Sequence, residues 1–436
     1  MRDPTTPRMS LTLPRSPLSR RLLRALAAFA LAGALAFAGV AATLWFWFLP
    51  HIADYRGELA ALMSRALGQR VTLEAVSADW RSWRPEVRMD GVRIHDRQGR
   101  AALYLPRLEG TFAWRSLLLL EPRFSSIQLR GLTLAVRRLH DGRFLVGGLP
   151  VDPAAPDSGF ANWALRQGEI RVADAALTWI DEPLGAPPLT LTAVELGLTN
   201  TLRRHVLTLH ATPPAELARP VDATLEFRGR ADDPKTWDGT LSARFVGLAL
   251  AGLDPWAATG YWPRTGRASA SLTVAFADGA LTQARAVVDA RALTLQLGDA
   301  LPLLALARLR GGVSWRREAG QRVALERLRV ERAGESPGAP FDLAYGWNGE
   351  LRRVEAKEVD LARMHRYLPY LPLPEEARKR FDALRPAGWI DALDLTWHGA
   401  GQQAELVAVR ADARALTLAA TGSTPGFSGL SLRLEG

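Results

Sequence analysis

The chain has 436 residues, with 55 Lys and Arg against 45 Asp and Glu for a net charge of +10, and no cysteine. Half of that charge sits in the first 24 residues (six Arg, one Asp), and the +5 left for the rest is too mild for a dedicated nucleic-acid binder. Without cysteine the chain forgoes disulfides and must hold itself together by core packing and ladder hydrogen bonds.

Residues 1–24 form a basic tail with Arg2, Arg8, Arg15, Arg20, Arg21 and Arg24. The run 25–49 that follows carries no ionisable side chain. As a helix rising ~1.5 Å per residue it reaches roughly 37 Å, enough to cross a hydrocarbon core with some tilt. The basic flank marks the cytoplasmic side, and Trp45, Phe46, Trp47 and Phe48 are the rings that settle at a membrane–water interface. A cleaved signal peptide has an apolar stretch of only about 7–15 residues, so a retained anchor is expected. Everything after it, residues 50–436, is then expected beyond the membrane.

A short amphipathic helix is predicted over 50–68, with Ile52, Tyr55, Leu59, Leu62, Met63, Ala66 and Leu67 at helical spacing and Gly68 as its stop. From about Val71 the period becomes two, in short runs punctuated by Gly, Pro, Asp and Asn, which predicts strands. Leu132, Leu134 and Val136 alternate before the turn Asp141-Gly142, and Ala223, Leu225 and Phe227 share a face. Leu272, Val274 and Phe276 precede Asp278-Gly279, and Leu293, Leu295 and Leu297 precede Gly298. Trp389, Leu393, Leu395 and Trp397 are expected on one face, with Asp391 the odd member; Leu430, Leu432 and Leu434 close the chain. Helix is predicted for 301–309 and, interrupted by Pro369, Pro372 and Pro374, for 360–384. The stretch 150–159, with Pro150, Pro153 and Pro156, is expected to be a linker, and 333–340 a second break.

No chemistry-bearing motif stands out: there is no GxSxG, HExxH, phosphate-binding Gly-rich loop or GxGxxG. His205 and His210, five apart on a strand, point to opposite faces and cannot chelate one metal; exposed strand and loop histidines are expected. Asp391 and Asp394 are likewise expected on opposite faces. Trp179, Trp315, Trp389 and Trp397 are expected to fill a sheet's apolar face rather than form a sugar platform. No enzyme activity, metal or cofactor is expected.

One set of segments resembles a known family. After the anchor come His-Ile-Ala-Asp-Tyr-Arg (51–56), Leu-Gly-Gln-Arg-Val-Thr-Leu (67–73), Ala-Asp-Trp (78–80) and Arg-Pro-Glu-Val-Arg-Met-Asp-Gly-Val-Arg-Ile-His-Asp (84–96). An Ile-x-Leu-x-Gly-Leu-x-Leu segment (127–134), Asp-Gly-Arg-Phe (141–144) and Leu-Arg-Pro-Ala-Gly-Trp (384–389) complete the series. Together they resemble YhdP-type proteins of the AsmA-like group in Gram-negative envelopes. Members are longer, so the chain is expected to be the N-terminal part of a longer protein.

The resemblance implies a mainly β fold: a transmembrane helix followed by an elongated, twisted antiparallel sheet whose apolar face forms a groove, with a few short helices. Its expected units are a first β-groove unit at 69–149, a second β-groove region at 160–345 and a third β region at 346–436 with the helical insertion. It implies a single-pass inner-membrane protein, N-terminus cytoplasmic and bulk periplasmic, that binds and conducts phospholipid between inner and outer membrane, with an outer-membrane or periplasmic protein as partner and no nucleic acid. The groove candidates are Leu132, Leu134, Val136, Leu225, Phe227, Leu272, Val274, Phe276, Leu293 and Leu295; Trp80 and Trp83 are candidates for the groove entrance. Alternation alone does not separate a groove from the closed core of a β-sandwich. A tethered scaffold for outer-membrane assembly, built of closed sandwiches and acting through protein contacts, is the alternative, and an envelope hydrolase the third.

Overall fold

The computed structural model describes residues 17–43, 46–47, 49–67, 69–81, 84–96, 98–113, 123–151, 164–201, 203–230, 233–257, 262–399, 404–422 and 425–436. Helix α1 (Pro17–Thr43) begins inside the basic tail, and its segment Ala25–Thr43 is apolar, long enough to span a membrane and unburied by the rest of the chain. At ~1.5 Å per residue those 19 residues cover about 28 Å, close to a hydrocarbon core. Phe46 and Trp47 are π-helical, and Leu49–Tyr55 is a 3₁₀ helix. Pro50 disfavours the α conformation in the residue before it. Trp45 and Phe48 lie outside the described residues; Phe46 and Trp47 are exposed.

Helix α2 (Arg56–Leu67) lays Leu59, Ala60 and Met63 on Ile52, Val71, Val76, Val87, Val92 and Ile94, forming a small core beside the anchor. Leu62 falls off this stripe and is exposed. The strands follow: β1 (Val71–Thr72), β2 (Ala75–Arg81), β3 (Arg84–His95), β4 (Ala101–Phe112), β5 (Phe124–Arg130), β6 (Thr133–Arg138), β7 (Phe144–Val146), β8 (Leu149–Val151), β9 (Glu169–Asp181), β10 (Leu189–Asn200) and β11 (Arg204–Thr212). Then come β12 (Val221–Arg230), β13 (Asp233–Ala249), β14 (Thr265–Ala277), β15 (Ala280–Leu295), β16 (Leu304–Arg317), β17 (Gln321–Glu331), β18 (Phe341–Asn348) and β19 (Leu351–Asp360). Helices α3 (Leu361–His365) and α4 (Glu375–Leu384) precede β20 (Ala387–His398), β21 (Glu405–Leu418) and β22 (Phe427–Glu435).

All 22 strands belong to one sheet. Neighbours in sequence pair antiparallel from β2 to β5 and from β9 to β22. There are two departures: β1 and β2 both pair with β3, one after the other along it, and at the join β5 and β6 run end to end along one edge of β9, both parallel to it, with β7 and β8 hanging from β6. The outermost strands have one neighbour each, and no pairing among the described residues closes the sheet into a barrel. The hydrophobic cores are four small local clusters, none of them a layer between two sheets.

The predicted helix at 301–309 is instead the entry to strand β16, where Leu304 and Leu306 stand opposite Leu295 and Leu293. Pairing with a long neighbouring strand overrides the helical preference of a Leu/Ala/Arg run. The 360–384 insertion is helical as expected, and it packs Tyr367 and Tyr370 onto Leu293, Leu304 and Leu306. Of the expected linker, 152–159 lie outside the described residues, and 149–151 form β8.

Candidate functional site

Directly paired residues of neighbouring strands share a face, so the register can be followed across the sheet. One row runs Val76–Met89–Leu108–Leu129–Val172–Leu196–Leu209–Ala223–Ala243. It continues Leu272–Ala286–Val313–Leu325–Leu343–Ala356–Leu393–Ala411–Leu434. Two residues along each strand lies a second row, Ala78–Val87–Gly110–Ile127–Ile170–Leu198–Leu207–Leu225 and on to Leu241–Val274–Ala284–Trp315–Val323–Tyr345–Val354–Leu395–Val409. Neither row contains a polar side chain other than the Trp315 and Tyr345 tips. The longer row touches every strand except β1, β6, β7 and β8, a path of roughly 80 Å at ~4.8 Å per strand.

Most residues of both rows beyond β9 are half-buried rather than buried, and Val313 and Tyr345 are 43% and 40% exposed. No second sheet covers them, which removes the closed sandwich as a description of this face among the described residues. The opposite face is treated differently. There Arg88 pairs with Glu109, Arg285 with Glu326, Arg308 with Asp289, Arg322 with Glu355, Arg414 with Asp391 and Arg433 with Asp412. The Arg308 hydrogen bond holds the Asp289 carboxyl below its usual range, and a hydrogen bond from Ser314, then the charge of Arg285, does the same for Glu326. One face is a screened ionic surface; the other is a continuous apolar lane.

Backbone bulges keep the lane on one face over long strands. Asp174, Ala193, Gly247, Ala292, Arg327 and Ala415 have positive φ and stand at shifts of register. Each inserts one extra residue, so the alternation changes phase while the face is preserved: Val172 is followed by Ala175, Ala290 by Leu293, Leu325 by Leu328 and Ala413 by Leu416. At β20 the same effect overturns an expectation. Trp389 pairs with Arg414 on the ionic face, with the Arg414 guanidinium 5.0 Å from its ring, while Leu393 and Leu395 stay in the lane. Asp391 and Asp394 each hold an arginine, Arg414 and Arg353 respectively.

All ten groove candidates lie on the lane's face. Leu225, Leu272 and Val274 are members of its rows, and Phe227 and Phe276 flank Gly239 next to them. Leu134 and Val136 pair with Leu177 and Trp179, and Leu132 packs against Ala175, Val194 and Ala211. Leu295 is half-buried, whereas Leu293 is covered by Tyr367 and its neighbours, and Phe227 is covered as well, by Trp237 and His205. Trp80 stands two residues beyond Ala78 on the same face, opposite Pro85; Trp83 lies outside the described residues. His205 corrects another expectation. It is 4% exposed, with Nδ1 at 2.7 Å from Asn200 Oδ1, and burial pushes its pKa down. His210, on the opposite face as expected, sits at 2.7 Å from Asp222.

The register itself, and so the continuity of the lane, was beyond reach of single-strand patterns. No curated protein and no solved structure matches the chain. The family model described as YhdP protein matches residues 5–436. The chain therefore belongs to the YhdP family.

Proposed function

We propose that this protein is anchored in the bacterial inner membrane by Ala25–Thr43, with its N-terminus cytoplasmic and its sheet in the periplasm, and that the apolar lane conducts phospholipids toward the outer membrane. The observation that carries this reading is the pair of uninterrupted apolar rows on a face that no second sheet covers and that is mostly half-buried beyond β9. Two acyl chains of roughly 30 methylenes together cost about 24 kcal/mol to move through water at ~0.8 kcal/mol per methylene. A continuous apolar surface removes most of that cost and leaves headgroups in solvent. The lane binds by contact alone, with no covalent step and no cofactor.

The test is a photoreactive amino acid placed in cells at Leu225, Val274 and Val354 of the lane and at Thr224, Thr273 and Glu355 of the ionic face. Phospholipid adducts at the first set and none at the second are expected. Equal labelling of both faces, or none on either, would sink the proposal.

A further inference from the structure

The ionic face pairs many of its arginines with carboxylates across neighbouring strands, and at one place arginines without such a partner converge on a cleft. Where the β10–β11 and β12–β13 hairpins meet the turn at 164–168, a cleft of about 1140 Å³ is lined by six arginines, Arg123, Arg166, Arg203, Arg204, Arg228 and Arg230, with Asp238 the one carboxylate among its lining residues. Arg204 is paired with Glu226 at 2.8 Å. Arg166, Arg203 and Arg228 have no carboxylate partner among the described residues. Arg204 and Arg228 also stand directly opposite each other across the β11–β12 ladder, so that beyond Glu226 on Arg204 and Asp238 opposite Arg228 the cleft carries an excess of positive charge.

The floor of this cleft is built rather than fluid. Gln167 is 2% exposed and its Oε1 accepts the Phe124 N–H. Asn200 Nδ2 donates to the carbonyls of Ala164 and Gln167 at 3.0 Å each, tying the turn to the β10–β11 hairpin. His205, also at the floor, is buried on the lane's face two residues from Leu207, about 7 Å along the strand. An amphipathic molecule could therefore keep its charge in the cleft while its chains lie in the lane. Guanidinium groups recognise phosphate through short, paired, charge-assisted hydrogen bonds.

We infer that this cleft is a binding site for the phosphate group of an anionic phospholipid whose acyl chains occupy the adjoining lane; the inference rests on the lipid-conducting reading above. The ligand chemistry is a phosphate ester, and free phosphate is its other source.

The experiment is native mass spectrometry of the full chain in a non-ionic detergent, with added phosphatidylglycerol, diacylglycerol of the same acyl chains, or inorganic phosphate. Wild-type protein is expected to retain phosphatidylglycerol about tenfold better than diacylglycerol. R166E/R203E/R228E should erase that preference while still retaining diacylglycerol, and the neutral R166Q/R203Q/R228Q should weaken it in the same direction. All three side chains are exposed, so circular dichroism is expected to show an unchanged fold. A preference for phosphatidylglycerol undiminished in both variants would overturn the site and leave the lane untouched. Inorganic phosphate retained as well as the lipid, and lost in the variants, would overturn the assignment to lipid. Diacylglycerol retention unaffected by Leu272→Asp would instead count against the lane, whatever the arginine variants do.

Discussion

Arg308 holds Asp289 with two hydrogen bonds, Nε to Oδ1 at 2.9 Å and Nη2 to Oδ2 at 2.6 Å, between strands β15 and β16. One residue further along the same two strands, Ala290 faces Leu309 on the other side of the sheet. The ion pair therefore marks the boundary between two surfaces a single residue apart. Because Arg308 depresses the Asp289 carboxyl, the folded chain binds fewer protons there than the unfolded chain between the two values. The contribution is complete above the ordinary carboxylate value of 3.8 and is lost as pH falls through the lower folded value. Glu326 follows the same sign. Asp289→Asn should cost no more than about 1 kcal/mol at pH 7, since both partners are partly solvated. The urea midpoint should also fall less between pH 5 and pH 3 in the variant than in the wild type.

His205 carries an acid sensitivity in a higher range. Burial lowers its pKa, so the unfolded chain takes up a proton before the folded one does. Its share of stability is complete above 6.5 and declines as pH falls from there through the folded value. His205→Phe keeps a ring against Phe227 and removes the titration. The melting temperature of this variant should drop less between pH 7 and pH 5 than that of the wild type; equal drops would exclude His205 as the source.

Gly239 is required by close approach. It faces Phe227 and Phe276 on its two sides, and a Cβ built there would lie 2.3 Å from the Glu226 carbonyl oxygen and 2.6 Å from Phe227 Cβ. Backbone cannot yield as a flexible side chain can. Gly239→Val should destabilise by about 3 kcal/mol, the upper end of overpacking costs, measured as a shift in the urea midpoint with unchanged slope.

Tyr367 reaches from the α3–α4 insertion onto Leu293, Leu304 and Leu306 and is 9% exposed. Tyr367→Ala should cost about 3 kcal/mol through the cavity it leaves. Amide exchange should accelerate in β15 and β16 and stay unchanged in β2–β4, where a separate cluster of side chains forms the core.

Strand content, the Asp278-Gly279 turn and the single apolar helix were legible in residues 17–436 because each is a local pattern. Asp278 and Gly279, with φ of 50° and 69°, adopt the left-handed pair that closes a two-residue hairpin. What local pattern could not carry was phase. A bulge at Ala292 or Ala415 uses a residue type that gives no warning of positive φ, and every alternating run that crosses one changes parity. Trp389 lies on the ionic face for that reason, since the irregular register around Asp391 separates it from Leu393. The burial of His205 depends on Phe227 and Trp237, residues that only the ladder brings near. Within a short run such as Leu272, Val274 and Phe276 parity holds, and alternate residues stay on one face.

The lane makes a prediction sensitive to a single step along the chain. Leu272 belongs to its longest row, between Ala243 and Ala286, while Thr273 is exposed on the ionic face between Ser242 and Arg285. A carboxylate at 272 places a charge across the path of the acyl chains, and a barrier of about 3 kcal/mol, the cost of Asp in a hydrocarbon environment, slows passage about a hundredfold. The same substitution at 273 meets water and an arginine. Leu272→Asp should therefore abolish phospholipid transfer between donor and acceptor vesicles, and Thr273→Asp should retain it, with both proteins folded by circular dichroism. If the two variants transferred lipid equally, the continuity of the apolar rows would have no bearing on what this sheet carries.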